Sequence, residues 1–300
     1  VVTLRAGVTG AGIQRALDGL PKAGGEVLLP AGRVDVSRPI VLQRDNQELR
    51  GTGPATVLRL ADNADCPVII LGEPVDHPGR TVKNLRLSGV YIDGNRLHQR
   101  NELWQLAHGN SEIHNNGITV QDVSDSTVTD VTCAHSRSGG FVTSLGVRRL
   151  TVRNLEAFDS EFDGLACYLT TDSRFVGLYL HDNRSAGISL DLDFDHNLVS
   201  DAVLAANDLG IFMRSSRNNR FQNVSIRNSR HFGVFIAQSE LETPRGWRPL
   251  AHTECTGNSF TNLHATGCGS AAFHIDDTSC TGNVVLGTTA SVAFLSKSAR

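Results

Sequence analysis

The chain is poor in the residues that mark many binding chemistries. Its 300 residues include one methionine, two tryptophans and three tyrosines, and aromatic residues make up only 6%. Lysines are few, so the positive charge is nearly all arginine, and the formal net charge is −3. That balance lacks the basic excess of a general nucleic-acid binder. No apolar run is long enough to span a membrane. No phosphate loop or dinucleotide fingerprint occurs. The six cysteines have no metal-ligand spacing. Cys167 reads as a core thiol, while Cys255, Cys268 and Cys280 lie close enough in sequence for one disulfide. His196, His231 and His274 are scattered, with no zinc-like pair. Asp191-Leu192-Asp193-Phe194-Asp195 starts like a calcium loop but lacks the glycine and closing glutamate of an EF-hand. No cofactor is therefore expected, the one alternative being Ca²⁺ shared by Asp191 and Asp193. The start at Val1-Val2, with no methionine and no visible signal peptide, is read as a removed leader or a trimmed end.

What the chain does have is a periodic glycine. Gly117, Gly140, Gly164, Gly187, Gly210 and Gly233 are separated by 23, 24, 23, 23 and 23 residues. Each opens a short β-like run, such as Gly187-Ile188-Ser189-Leu190 and Gly210-Ile211-Phe212-Met213. A weaker copy begins at Ala272, 39 residues after Gly233, so a loop has been inserted there. A period in the twenties with β-rich units is the mark of a solenoid.

Two further apolar runs follow within each unit, for example Arg149-Leu150-Thr151-Val152 and Leu155-Glu156-Ala157. Asn, Asp, Ser and Gly bound them, which is the strand-and-turn signal. The leucine frame of a leucine-rich repeat is absent. The predicted fold is all-β: a single-stranded right-handed parallel β-helix with ~23-residue rungs and three strands per rung. Residues 9–20 carry Ile13, Ala16, Leu17 and Leu20 at helical spacing, so a short helix is expected to cap the open N-terminal end. The whole chain is read as one domain, with residues 1–25 as cap and loop insertions at about 96–116 and 239–256.

Gly24-Gly25-Glu26-Val27-Leu28-Leu29-Pro30-Ala31-Gly32, followed by Leu49-Arg50-Gly51-Thr52-Gly53, resembles the N-terminal signature of the pectate-lyase-like β-helix superfamily. The resemblance implies the fold, not one activity. A narrower stretch is similar to the catalytic module of bacterial mannuronan C5-epimerases. It runs from Val90-Tyr91-Ile92-Asp93-Gly94-Asn95 to Phe162-Asp163-Gly164-Leu165. In that family a Tyr-Gly-Phe-Asp-Pro-His motif carries the chemistry, and an Asp-Gly-Phe motif one rung later adds a carboxylate. Here the first motif falls on Gly139-Gly140-Phe141-Val142-Thr143-Ser144, without its tyrosine, aspartate or histidine. Only Asp163 carries over.

Alternation along each post-glycine strand sends the first and third residues inward and the second and fourth outward. Ile188, Leu190, Ile211 and Met213 are thus expected in the core. The fourth-position column places Tyr168, Asp191 and Arg214 on consecutive rungs of the outer face, with Asp193 close by. These residues and Asp163 are the candidate catalytic set. Glu161, Arg184 and His231 line the other end of that face. The two tryptophans sit one in each insertion, Trp104 in the first and Trp247 with Arg245 in the second. With both loops bordering the same sheet, they would enclose a groove of ~24 Å, long enough for several sugar units. Trp104, Trp247, Arg184, Glu161, His231 and Arg245 are the candidate substrate contacts.

The leading functional expectation is a polysaccharide-active enzyme on acidic, uronate-containing glycans, acting by proton abstraction as a lyase or C5-epimerase. Arg214 or Arg184 would neutralise the sugar carboxylate, and Arg214 would also hold Asp191 ionised. Tyr168 or a nearby histidine would be base or acid. One alternative is an inverting glycoside hydrolase using Asp191 and Asp193 as acid and base, with Asp163 in support. Another is a non-catalytic glycan-binding or structural β-helix. The expected partner is a poly- or oligosaccharide, with no nucleic acid and no membrane span. Monomer and trimer both remain open, and an extracytoplasmic location follows from the polymer substrate.

Overall fold

A computed structural model describes residues 1–106, 109–240, 248–287 and 294–296. It is a right-handed parallel β-helix, as the glycine period predicts. Three parallel sheets build the coil, holding thirteen, ten and six strands among the described residues, the smallest running only from Val82–Lys83 to Ser216–Arg217. The ten-stranded sheet is built from the post-glycine runs, including Ile118–Gln121, Phe141–Ser144, Leu165–Tyr168, Ala186–Asp191, Leu209–Met213 and Phe232–Ile236. Their register is one rung per repeat: Tyr168 pairs with Asp191, and Ile188 with Ile211.

The largest sheet differs from the expectation. The two runs expected at 149–152 and 155–157 form one strand, Thr151–Phe158. Asn154 in its middle has φ 52°, and Asp130, Gly177, Asp201, Asn223 and Asn262 take the same left-handed conformation one rung apart. Such a residue resets the in–out alternation, so Val152, Leu155 and Ala157 are all buried while Arg153 and Asn154 are exposed. The third strand of each rung is instead a two-residue piece after the post-glycine turn, such as Val147–Arg148, Thr170–Thr171 and Phe194–Asp195.

The recurring glycine has a steric cause. A Cβ on Gly210 would lie 2.3 Å from the Gly233 carbonyl oxygen, and one on Gly117 2.6 Å from that of Gly140. Only hydrogen fits there, so the glycines are fixed by close backbone approach between rungs. Turns are held by buried asparagines in register. The Asn197, Asn219 and Asn258 backbone N–H groups donate to the side-chain carbonyls of Asn219, Asn258 and Asn283 at 2.9, 3.0 and 3.1 Å. Each amide thus satisfies polar backbone inside the coil that water cannot reach.

One hydrophobic cluster runs from Ile13 to Cys280. Ile188, Leu190, Ile211 and Met213 are fully buried in it. The N-terminal end is closed by the helix Gly10–Asp18, capped by Thr9, whose hydroxyl accepts from the Gly12 N–H at 3.1 Å. Ile13 and Leu17 enter the cluster from this helix; Leu20 joins them from just beyond its end. This covers core edges that a solenoid would otherwise expose. No helix among the described residues is long and apolar enough to cross a membrane.

Candidate functional site

The first insertion folds back over the ten-stranded sheet. After a short turn at Arg96–His98, the strands Leu103–Leu106 and Gly109–His114 form an antiparallel hairpin. The hairpin walls a groove of about 700 Å³ whose floor is Thr119, Gln121, Val142, Ser144 and Tyr168. An adjoining depression of about 260 Å³ shares Glu102, His114 and Tyr168 and reaches Asp163. The floor exists because the outward second-position residues are small here: Thr119, Val142, Ala166 and Ser189.

Asp163 and Tyr168 sit at opposite ends of one strand, Leu165–Tyr168. Asp163 precedes Gly164, and its carboxylate takes the Ala186 N–H of the next rung at 2.8 Å. It is only 8% exposed. Burial pushes its pKa up to about 6, against hydrogen bonds from Ser185, Ala186 and Ser189 that pull it down. Tyr168 is raised above the ordinary phenol value, first by desolvation and then by the Asp163 charge. Across the depression, His114 Nδ1 lies 2.8 Å from Glu102 Oε1 and 3.4 Å from Ser138 Oγ. Asp163, Tyr168, His114 and Glu102 therefore share one walled site, with a carboxyl group that changes charge near pH 6. That is the equipment for general acid–base chemistry.

The other expected catalytic residues lie elsewhere. Asp191 faces outward from the coil, as alternation requires, and Asp193 lies past the strand's end, after the left-handed Leu192; both are 0% exposed. The expectation that they face solvent is corrected by the second insertion, which packs on them. Asp191 meets Arg214 Nη2 at 2.7 Å and accepts the Leu192 N–H at 2.7 Å. Burial outweighs Arg214, so the Asp191 carboxyl sits above, not below, its ordinary pKa. Asp193 holds Arg248 and takes the Ala251 N–H at 2.9 Å. His252 Nε2 lies 3.0 Å from both oxygens of Asp195. These contacts pin residues 248–254 to the coil.

Among the expected substrate contacts, Trp104 is half-buried and packs against the main core. Its strand neighbour Leu103 lines the groove instead, as alternation in a strand requires. Trp247 and Arg245 lie outside the described residues. Glu161 pairs with Arg184 at 3.0 Å and with Arg96 at 3.6 Å, and His231 pairs with Asp208 at 2.9 Å. None of Trp104, Glu161, Arg184 and His231 lines the groove. Glu102 and His114 lie outside the set expected from the sequence. Nothing in their spacing signals the hairpin register that carries them to Asp163.

The groove ends on an unusual ladder. Leu145, Leu169 and Leu192 have φ of 58°, 49° and 54°, a region that leucine seldom occupies. Their side chains form a small buried cluster with Tyr168 and Leu250. The contact between leucines on neighbouring rungs, and with the second insertion, offsets the backbone cost.

The fold and groove define a right-handed parallel β-helix protein with a carboxyl-lined cleft on one sheet. More narrowly, the chain belongs to the NosD family, described as periplasmic copper-binding protein, whose profile matches residues 69–262. No curated protein sequence matches it significantly. Among solved structures it is similar to the N-terminal fragment of bacteriophage Phi29 gene product 12, with TM-score 0.70 and 16% identity over 96% of this chain and 50% of that one. It is also similar to the bacteriophage CBA120 tailspike protein 2 enzymatically active domain, with TM-score 0.62 and 14% identity over 95% and 40%. A point mutant of the periplasmic alginate epimerase AlgG gives TM-score 0.61 and 14% identity over 90% and 62%. The chain spans about half the length of the Phi29 fragment. At these identities the likeness concerns the fold.

Proposed function

We propose that this protein is a glycan-active enzyme that binds an extended saccharide in the groove over the ten-stranded sheet, with Asp163 as the proton-transferring group. The observation that carries the reading is the joint placement of Asp163, Tyr168, Glu102 and His114 in one cleft. The chemistry favoured is hydrolysis of a neutral glycan. The described residues lining the groove include the carboxylates Asp76, Glu102 and Asp163 and no lysine or arginine. A polyuronate would meet like charge there. The arginines expected to neutralise a uronate, Arg214 and Arg184, are paired with Asp191 and Glu161 outside it. In the hydrolytic reading, Asp163, protonated below about pH 6, donates to the leaving oxygen. Glu102, oriented by His114, is the second carboxylate.

The proton-abstraction reading keeps one observation in its favour. Tyr168 and His114 border the same depression and offer an acid and a base for a lyase or epimerase. One experiment separates the readings. The protein is incubated with a panel of neutral and uronate polysaccharides. New reducing ends without unsaturated-sugar absorbance support hydrolysis. That absorbance supports a lyase, and altered proton NMR at constant chain length supports an epimerase. No change on any polymer rejects the enzymatic reading.

The family description names copper and the periplasm. A periplasmic location agrees with a polymer substrate and is part of this proposal. Copper is not. The described residues offer one three-ligand cluster, Asp193, Asp195 and His252. Its atoms are already committed: Asp193 to Arg248 and the Ala251 N–H, and His252 to Asp195. The set is also hard and oxygen-rich, where copper proteins favour imidazole and sulfur. The cluster does not fit the ion.

A further inference from the structure

The outward second-position column that floors the groove changes character further along the coil. It reads Thr119, Val142, Ala166 and Ser189 over the groove, then Phe212, Phe235 and His274 on the next rungs. Phe212 and Phe235 are stacked, with centroids 5.8 Å apart and planes 24° apart. Phe232 adds a third ring 5.1 Å from Phe235, and His274 lies 5.2 Å from Phe235. Phe212, Phe232 and Phe235 remain half-buried on the outside of the coil, not in the core. The Arg214 guanidinium lies over the Phe212 ring at 4.8 Å and is anchored by Asp191 at 2.7 Å.

Resting on the glycan reading above, we propose that this aromatic step is a set of distal sugar subsites that takes the same saccharide beyond the catalytic cleft. Three features point to a glycan chain as occupant. The step continues the groove floor along the coil axis, on the same face and in the same register. Phe212 lies two rungs beyond Ala166, about 10 Å from the rung of Tyr168, and Phe235 about 14 Å. Rungs advance by ~4.8 Å, close to the length of one sugar unit, so successive rings meet successive sugars. The half-buried phenyl rings leave an apolar surface on which the C–H faces of pyranose rings can lie, and the anchored Arg214 beside Phe212 presents donors to their hydroxyls. A sugar on Phe212 would then stand two units from the one at Tyr168.

The test is calorimetric binding of neutral oligosaccharides of about three and about seven units, drawn from whichever polymer the panel identifies. The wild-type protein is expected to bind the longer chain roughly tenfold or more tightly. Phe212→Ala and Phe235→Ala should lose most of that gain and leave the short-chain affinity and short-substrate turnover unchanged. Phe235→Leu keeps apolar volume but removes the flat ring, so it should show the same selective loss with an intact thermal melt. Folded variants that bind the long chain like wild type would overturn the inference while leaving the catalytic reading standing. Absence of binding by any oligosaccharide to the wild-type protein would overturn both. A wild-type dimer abolished by Phe212→Ala would overturn it in favour of a contact between two copies of this chain.

Discussion

Asp191 and Arg214 meet at 2.7 Å across adjacent rungs, with the carboxylate 0% exposed and the guanidinium side chain 24% exposed. The pair lies one rung from Tyr168 but lines neither the groove nor the depression, and its guanidinium lies over the Phe212 ring. Asp191→Asn is expected to lower stability by about 3 kcal/mol, the low end for a broken buried pair, because the Arg214 charge left unpaired is partly exposed. Turnover should stay within about threefold of wild type. Thermal melting beside activity on the identified substrate checks both.

Asp163 is the opposite case. Asp163→Asn should lower turnover by about 10²-fold or more while substrate affinity is kept, the scale of one lost acid–base group. The proposed proton donor acts only while protonated, so wild-type activity should fall as pH rises through about 6. A pH–rate profile of both proteins is the measurement.

The same group gives stability a pH slope. Its pKa is about 6 in the folded protein against 3.8 for the unperturbed group. Between those values the native state holds the proton and the unfolded chain has lost it. Stability should therefore fall as pH rises from about 4 to 6 and level off above, by roughly 2–3 kcal/mol from this group. Urea unfolding across that range should show the slope in wild type and a flatter line in Asp163→Asn.

Asn219 donates its side-chain amide to the Phe194 and Asn258 carbonyls at 2.7 and 2.9 Å and accepts the Asn197 N–H. Asn219→Ala strands two buried groups, the Phe194 carbonyl and the Asn197 N–H, while Asn258 Oδ1 keeps the Asn219 backbone N–H. The expected loss is about 2–4 kcal/mol at little cost to activity, read from urea denaturation.

Cys255 and Cys280 are buried free thiols, and the Cys255 N–H donates to Cys280 Sγ at 3.3 Å. Contact with the Cys255 thiol pulls Cys280 below the ordinary thiol value, while burial pushes Cys255 above it, which makes Cys280 the reactive member. Mild oxidation should join these two, and peptide mapping should find Cys133 and Cys167, both fully buried, still reduced. Cys268, whose thiol meets the Thr266 carbonyl and Ser229, should stay outside the pair.

The solenoid was legible because its cause is periodic. Gly210 recurs one rung on as Gly233 because a side chain there would collide with the neighbouring carbonyl, and such a constraint repeats in every rung. In–out alternation followed, and it correctly sent Ile188 and Met213 inward. Alternation gives direction but not cover. It turned Asp191 outward, and only the path of the second insertion, pinned by Arg248 and Ala251, decided that it and Asp193 are buried. The register of an inserted hairpin is likewise invisible to a repeat. Leu103 faces the groove and Trp104 the core because of how that hairpin docks, and the same docking brings Glu102 and His114 over Asp163. The sequence by itself determined the coil, its core and which residues of each strand turn outward, since these depend on neighbours one rung apart. The tertiary structure alone decided which of those outward residues stay open, because cover comes from loops whose course no period encodes.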